Sequence, residues 1–283
     1  MPTPSNNPEF NDLSQESLPS RGGHPFTDNF ANERLTRIRN LYSPEIKEYP
    51  LSRSKLETYL KCPTCFYRDR REGVSPPPPY PYSLNSAVDE LLKREFDQYR
   101  EQQKPHPLMI KAGIEAVPLK HPNLDEWRDS LHKGIKATVP GTNFRFSGGV
   151  DDLWINSKGE IHVVDYKSTA SKKEVSMEDE YKDAYKRQVE MYQWLFKANG
   201  FNVSDITYFV YCNADLNRPS FDSKLEFNIA ILEHKGDYSW VDKALKDAHA
   251  CLGKDTPPPP CKDCDHCKYI AAVDYLSGIK RKH

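Results

Sequence analysis

Charged side chains stand at the ends of two short apolar runs in the segment GGVDDLWINSKGEIHVVDYKS, residues 148–168. Because side chains alternate along a strand, Asp165 and Lys167 share one face of the second run, and Tyr166 points to the other. Two carboxylates that face each other across a hairpin repel unless a cation neutralises them, and a divalent metal ion can do so. Lys167 could then orient or deprotonate a water, or stabilise charge on a phosphate, which is the chemistry of phosphodiester hydrolysis.

The turn between the two runs decides which aspartate faces Asp165. If Asn156 pairs with Glu160 across a three-residue loop, Asp151 lies opposite Asp165, with the two Cβ atoms about 5 Å apart. A two-residue turn would shift the register by one and bring Asp152 there instead. Spacing therefore leaves both aspartates open. A solvated strand end with a salt bridge would use the same residue types, but the apolar run before Asp165 favours a central strand.

The composition limits the class of protein. The chain has 283 residues, enough for one large domain or two small ones, and a formal net charge of -1. That charge argues against a uniformly basic nucleic-acid coat but is compatible with a local basic groove. The sequence contains no apolar run long enough to span a bilayer and no signal-peptide pattern at its N-terminus. We therefore expect a cytoplasmic protein that does not bind membranes.

The order of the apolar patterns predicts an α/β fold, with a mixed central sheet flanked by helices. Helices are predicted at residues 50–71, 84–100, 181–200 and 239–253, and strands at 113–119, 148–168, 205–213 and 224–234. Because residues 1–48 are rich in Pro, Ser, Asn and charge, we expect them to form a disordered or weakly structured extension. Residues 49–270 are predicted as a single domain, and residues 271–283 as a C-terminal tail.

Five of the seven cysteines fall in two clusters, KCPTCFY and CKDCDHCKY, which bracket the predicted domain. In a cytosolic chain, such spacing indicates a metal or iron–sulfur site rather than disulfides. Each Cys-x-x-Cys pair suits chelation of one centre, and four thiolates fit either tetrahedral zinc or a [4Fe–4S] cluster. The two complete pairs favour Cys62, Cys65, Cys264 and Cys267 as ligands, with Cys261 as the alternate.

Basic residues concentrate near the first cysteine pair. Arg53, Lys55 and Arg68 lie there among aromatic residues, and we take these three as candidate nucleic-acid contacts. Bases can stack on aromatic rings while cations contact the phosphates. A solvated helix face above core aromatics would give the same pattern.

Three motifs in a fixed order resemble the PD-(D/E)xK nuclease superfamily, and in particular its RecB-type branch. They are Gly148-x-x-Asp151, a second strand that ends in Asp-Tyr-Lys at 165–167, and a helix with Gln188-x-x-x-Tyr192. The resemblance covers roughly residues 51–269. It implies a restriction-endonuclease-like core, so that residues 49–270 would be one nuclease domain closed by the cysteine clamp.

The resemblance also assigns roles in the site, and it favours Asp151 over Asp152. It implies catalytic roles for Asp151, Asp165, Lys167, Gln188 and Tyr192. It implies an Mg²⁺ or Mn²⁺ site at Asp89, Asp151, Asp165 and Tyr166. At the upstream helical motif, where the family often has a glycine and a histidine, this chain has Asn85 and Asp89. Glu95, nearer the middle of the apolar face of that helix, is the competing candidate.

By resemblance, we expect a metal-dependent deoxyribonuclease that acts on single-stranded DNA ends in repair, recombination or CRISPR adaptation. The branch commonly holds a [4Fe–4S] cluster with one cysteine before the core and three after it, which here would be Cys62, Cys261, Cys264 and Cys267. No Walker A loop is present, so a helicase or integrase partner would supply unwound DNA. The alternatives are a non-catalytic DNA-binding module on the same fold and an RNA nuclease.

Overall fold

A computed structural model describes residues 41–77, 83–179 and 182–278. Residues 1–40 of the predicted N-terminal extension and residues 279–283 of the predicted tail lie outside these ranges. Tyr42, in the described part of the extension, is buried and packs edge-on against Tyr49 and Phe144. The disorder predicted for residues 1–48 stays a prediction.

Eight strands, eight α-helices and one π-helical turn occur within the described ranges. The strands are β1 Tyr49–Ser52, β2 Ala116–Pro118, β3 Ile135–Thr138, β4 Phe144–Gly148, β5 Asp152–Asn156, β6 Ile161–Thr169, β7 Ile206–Ala214 and β8 Phe227–Lys235. The helices are α1 Arg53–Lys61, α2 Pro63–Tyr67, α3 Ser83–Gln102, α4 Pro107–Lys111, α5 Leu124–Arg128, α6 Asp183–Ala198, α7 Ser239–Leu252 and α8 Asp265–Leu276, and the π-helical turn is Arg68–Glu72.

Five strands form the central sheet, in the order β2-β5-β6-β7-β8. The β6–β7 pair is parallel and the other pairs are antiparallel, so the sheet is mixed as predicted. β6 lies in the middle, which agrees with the apolar run at its start. The predicted α/β class is therefore confirmed, and the aspartate hairpin β5–β6 occupies the centre of the sheet.

Helices cover both faces of the central sheet. On one face, Val163 of β6 belongs to the same buried cluster as Val189 of α6. On the other face, Val164 packs in a second cluster with Phe96 of α3. Because side chains alternate along β6, Asp165 is directed toward the face that α6 covers.

A second, smaller sheet, in the order β1-β4-β3, was not predicted. β1 pairs in parallel with β4, and β3 pairs antiparallel with β4. The sequence pattern places β1 at the start of the helix predicted over residues 50–71. It predicts no strand in residues 105–142 apart from the one at 113–119, so β3 was not expected. These strands have only four or five residues each, and β1 finds its partner far along the chain, so a local apolar pattern does not reveal them.

The helix predicted over residues 50–71 is broken at Cys62. Cys62 adopts an extended conformation, with φ −158° and ψ 99°, between α1 and α2. The physical reason is Pro63, whose ring disfavours the helical conformation of the preceding residue. The break separates the cysteine pair from α1.

Only part of the apolar face of α3 is buried. Leu92 and Phe96 are buried, but Leu84 and Leu91 are 68% and 62% exposed. Only a narrow stripe of the helix contacts the sheet, and the buried side chain of Arg100 is part of that stripe.

At the other end of the chain, α8 runs through the predicted boundary at residue 270. No helix in the described ranges is long and apolar enough to cross a membrane.

Close packing at Gly149 gives a first prediction. A Cβ at this position would lie 2.4–2.8 Å from the Cβ, Cα and backbone N of Ser130, and backbone atoms cannot move aside cheaply. We expect Gly149→Ala to lower the free energy of unfolding by about 1–3 kcal/mol, measured by urea denaturation. The control is Gly253→Ala, where the new Cβ meets only ordinary contacts at 3.6 and 3.8 Å. Equal stability of the two variants would contradict this packing.

Candidate active site

A cleft opens where β6 passes the start of β5, and α1, α3 and α6 border it. Its lining residues are Arg53, Asn85, Ser86, Asp89, Asp151, Tyr166, Lys167, Ser168, Tyr185 and Gln188. Most of the candidate residues from the sequence therefore meet in one place, although they come from α1, α3, β6, α6 and the residue before β5.

The hairpin register agrees with the three-residue loop. Asp152 pairs with Val164 and Ile155 pairs with Ile161, so Asp151, one residue before β5, stands opposite Asp165. The main chain of Asn156 bonds to that of Glu160 at 3.2 Å, as expected for this loop. The alternative register, with Asp152 opposite Asp165, is wrong.

Asp165 is completely buried at the base of the cleft. Its carboxylate forms an ion pair with Lys167 and accepts a hydrogen bond of 2.8 Å from Nε2 of Gln188. The same amide lies 3.3 Å from the hydroxyl of Tyr192, which is also buried. Burial raises the pKa of Asp165, Lys167 lowers it and Asp151 raises it, and together they bring this pKa to about 7. Asp165 is thus held in a site that favours a nearby positive charge.

Lys167 supplies part of that positive charge. Burial acts to lower the pKa of its ammonium group, but Asp165 and Asp151 outweigh burial and raise it. The ammonium nitrogen also lies 4.7 Å from the ring centroid of Tyr185, a cation–π contact. Lys167 is therefore a protonated donor in the cleft. Tyr185 is not part of the three sequence motifs, because only the folded chain brings its ring over the lysine.

Asp89 on α3 also faces the cleft. One carboxylate oxygen lies 2.7 Å from Nζ of Lys93, whereas the other, Oδ1, is buried and has no hydrogen-bond partner in the described part of the chain. Burial, and then the charge of Asp151, raise the pKa of Asp89. The competing candidate Glu95 lies elsewhere, because its carboxylate bonds to Nε2 of His106 at 2.9 Å.

The oxygen donors fit a hard divalent cation. The carboxylates of Asp89 and Asp151 line the cleft and that of Asp165 lies just beneath it, and Mg²⁺ and Mn²⁺ prefer such ligands. The unpartnered Oδ1 of Asp89 is the observation that a bound cation would explain, since buried polar atoms normally have a partner. Tyr166 borders the cleft only through its main chain, because its hydroxyl donates to Asp152 behind the sheet.

Asp152 lies behind the cleft, fully buried in a charged cluster. It pairs with the guanidinium groups of Arg100 and Arg128, and it accepts a hydrogen bond of 2.6 Å from the hydroxyl of Tyr166. Arg128 also donates from Nε to the carbonyl of Asp151 at 3.1 Å, and the main-chain N–H of Tyr166 donates to Oδ2 of Asp151 at 2.9 Å. This cluster, which the sequence did not reveal, fixes Asp151 and β6 from behind.

The three candidate nucleic-acid contacts occupy different surroundings. Arg53 lines the cleft and has no ion-pair partner within the described ranges. Lys55 forms an ion pair of 2.7 Å with the buried Asp69, which makes it a structural cation rather than a free one. Arg68 lies in the π-helical turn and is not among the lining residues of the cleft. Only Arg53 is placed to contact a bound strand at the site.

The cysteines of the two predicted pairs converge. The sulfur atoms of Cys62, Cys65, Cys264 and Cys267 all lie within 4.8 Å of one another, so this group could bind a metal. Cys261 packs against the group but is not part of it. The predicted clamp between the N- and C-terminal segments is therefore present as an arrangement of side chains.

The buried tyrosine behind the cleft gives a prediction. Tyr166→Phe removes the donor to Asp152 without changing the main chain, and it acts on the candidate ligand Asp151 through Asp152 and Arg128. Partners of metal ligands typically alter metal affinity by about 10–100-fold, so we take the lower end of that range for this indirect effect. We expect the Kd for Mn²⁺ to rise about tenfold in a calorimetric titration of the protein without nucleic acid. The matched control is Tyr67→Phe, which removes an equally buried hydroxyl bonded to the carbonyl of Lys254 at 2.9 Å and should leave this Kd unchanged. An unaltered Kd in Tyr166→Phe would contradict the prediction.

Comparisons with known proteins bear on this site. The comparison with curated proteins found no match. Among solved structures, the crystal structure of SSO0001 is similar, with 14% identity over 87% of this chain and 94% of that chain and a TM-score of 0.35. The crystal structure of LHK-Exo in complex with dAMP is similar too, with 12% identity over 81% of this chain and 93% of that chain and a TM-score of 0.33. The family model for the PD-(D/E)XK nuclease superfamily matches residues 50–272, which is most of the chain and includes the entire cleft. This chain therefore belongs to the PD-(D/E)XK nuclease superfamily.

Proposed function

We propose that this nuclease is a metal-dependent deoxyribonuclease that hydrolyses phosphodiester bonds at single-stranded DNA ends. The observation that carries the proposal is the convergence of Asp151, Asp165 and Lys167 at the end of the hairpin, with Asp89 across the cleft. Members of this superfamily use divalent metals. The proposed ligands for Mg²⁺ or Mn²⁺ are Asp89, Asp151, Asp165 and the main chain of Tyr166.

The chain's own residues would position the scissile phosphate. A bound Mg²⁺ or Mn²⁺ would polarise a phosphoryl oxygen and lower the pKa of a bound water. The protonated ammonium of Lys167 would stabilise the charge that develops on the phosphate. Gln188 holds Asp165 in place through its amide, and Tyr192 lies against that amide. Arg53 would pair with a neighbouring phosphate.

The choice of DNA rests on the resemblance of the three motifs to the RecB-type branch. The proposed partner is a helicase or an integrase, which would supply the single-stranded end. A non-catalytic DNA-binding module would not need the Asp165–Lys167 pair, and the pairing of the buried Asp165 with Lys167, which lines the cleft, speaks for catalysis. An RNA nuclease is the alternative that the assay below distinguishes.

The central test is cleavage by variants of the two opposed carboxylates. We expect Asp151→Asn and Asp165→Asn to lose about 10³-fold or more in cleavage rate, because metal-assisted charge stabilisation contributes several kcal/mol. The substrates are end-labelled single- and double-stranded DNA and a matched RNA, each with Mg²⁺, Mn²⁺ or EDTA.

The matched control is Asp242→Asn, an exposed aspartate on α7 that pairs with Lys246. It should cleave like wild type. Wild-type rates in Asp165→Asn would refute the active site. Cleavage of RNA alone would refute the DNA assignment, and activity in EDTA would refute the metal dependence.

Arg53 provides a separate prediction about substrate binding. Arg53→Ala should weaken binding to single-stranded DNA and reduce the slope of log K against log salt concentration by about 0.7, the value expected for one lost phosphate contact. Fluorescence anisotropy at several salt concentrations measures both effects. The control is Arg94→Ala, an exposed residue of α3 that pairs with Glu90 and should not change the slope. An unchanged slope in Arg53→Ala would mean that Arg53 contacts no phosphate.

A further inference from the structure

The spacing of the clustered sulfur atoms distinguishes two kinds of centre. The sulfur of Cys62 lies 3.6 Å from that of Cys267, and the sulfur of Cys65 lies 3.6 Å from that of Cys264 and 3.8 Å from that of Cys267. All four lie within 4.8 Å of one another. Four sulfurs bound to one zinc ion in a tetrahedron, at about 2.3 Å each, are about 3.8 Å apart. The measured contacts match this spacing.

A four-iron cluster needs a wider arrangement. In a [4Fe–4S] centre each cysteine binds a different iron, so the four thiolates surround the whole cluster rather than one ion. They must then be farther apart than around a single metal. The limit of 4.8 Å that encloses all four sulfurs leaves no room for four irons and four sulfides between them. The side chains as arranged do not fit the cluster that the resemblance implies.

The two pairs occupy the same positions at the starts of their helices, although, of the two cysteines that precede these helices, only Cys62 accepts a main-chain hydrogen bond at its sulfur within the described ranges. Cys62 precedes α2 as its N-cap residue, and Cys264 precedes α8 in the same position. Cys65 and Cys267 follow three residues later in the first turn of each helix. The main-chain N–H of Cys65 donates to the sulfur of Cys62 at 3.4 Å, which favours a thiolate there. Two matching two-cysteine chelates are what a single tetrahedral ion requires.

Contacts other than the thiols hold the two segments together. The hydroxyl of Thr64 donates to the carbonyls of Pro258 and Pro259, at 3.1 and 2.6 Å. The hydroxyl of Tyr67 donates to the carbonyl of Lys254 at 2.9 Å. Because Thr64 and Tyr67 are buried in α2, the proline segment before the second pair is fixed on the first pair. The close spacing of the sulfurs is thus part of a packed interface.

We propose that Cys62, Cys65, Cys264 and Cys267 bind one structural zinc ion in place of an iron–sulfur cluster, with Cys261 outside the ligand set. The ion would join the start and the end of the nuclease domain. Cys261 packs beside Cys62 and would not be needed for the fourfold coordination. The proposal concerns a site apart from the cleft and does not depend on the substrate or on the metal bound there.

The test is the metal content of the full chain, expressed with both iron and zinc in the medium and purified without oxygen. We expect colourless protein with about one zinc per chain and only traces of iron. X-ray absorption at the zinc edge should show four sulfur neighbours at about 2.3 Å. Brown protein with about four irons per chain would overturn the proposal, as would protein that holds neither metal.

Two serine variants test the ligand set. Cys264→Ser should retain a tenth or less of the wild-type zinc and melt at a lower temperature, because the ion stabilises the fold. Cys261→Ser, the matched control, should keep a full complement of zinc and the wild-type melting temperature. Equal loss of zinc in the two variants would overturn the assignment. If Cys264→Ser does not fold, the sulfur count from X-ray absorption on wild type and Cys261→Ser decides the question, since fewer than four sulfurs in Cys261→Ser would place Cys261 in the site.

Discussion

The repulsion between two opposed carboxylates at the centre of the sheet is the constraint on which the rest of the site depends. Asp165 is completely buried and stands opposite Asp151 in the hairpin, so burial and the second charge both disfavour its ionised form. A protein tolerates such a pair only with compensating positive charge. Lys167 supplies one such charge, and the oxygen donors of the cleft suit a divalent cation as another.

The carboxylates of Asp151 and Asp165 lie on one face of the hairpin, and that of Asp152 lies on the opposite face, where it has a structural role. Asp152 is as buried as Asp165, but two arginines and a tyrosine hydroxyl satisfy it fully. The consequence is a rigid base for the cleft, because Arg128 also donates to the carbonyl of Asp151 and the main-chain N–H of Tyr166 donates to the Asp151 carboxylate. Adjacent aspartates therefore serve opposite purposes, one facing the cleft and the other bracing it.

Helix α1 links the cysteine site to the cleft. It carries Arg53 at its first position and ends just before Cys62. In its middle, the buried Glu57 accepts two hydrogen bonds from Arg187, at 2.7 and 3.1 Å, and Arg187 directly precedes Gln188 on α6. A centre that fixes the end of α1 would therefore also fix two walls of the cleft, although the cysteines contribute no side chain to it.

The sequence by itself determined the features that depend on local pattern. These are the motif order, the central position of β6, the long elements α6, α7, β7 and β8, and the two Cys-x-x-Cys pairs. Spacing left the hairpin register open between Asp151 and Asp152, and the folded chain decided it. Tertiary structure decided which side chains are buried and which distant residues they contact, because the local spacing of residue types does not specify either. Lys55 forms an ion pair with Asp69, and Glu95 bonds to His106 instead of facing the cleft. The small sheet joins short strands from distant parts of the chain. Asp152 looks like its neighbour in the sequence, and only the arginines packed behind the sheet give it a different role.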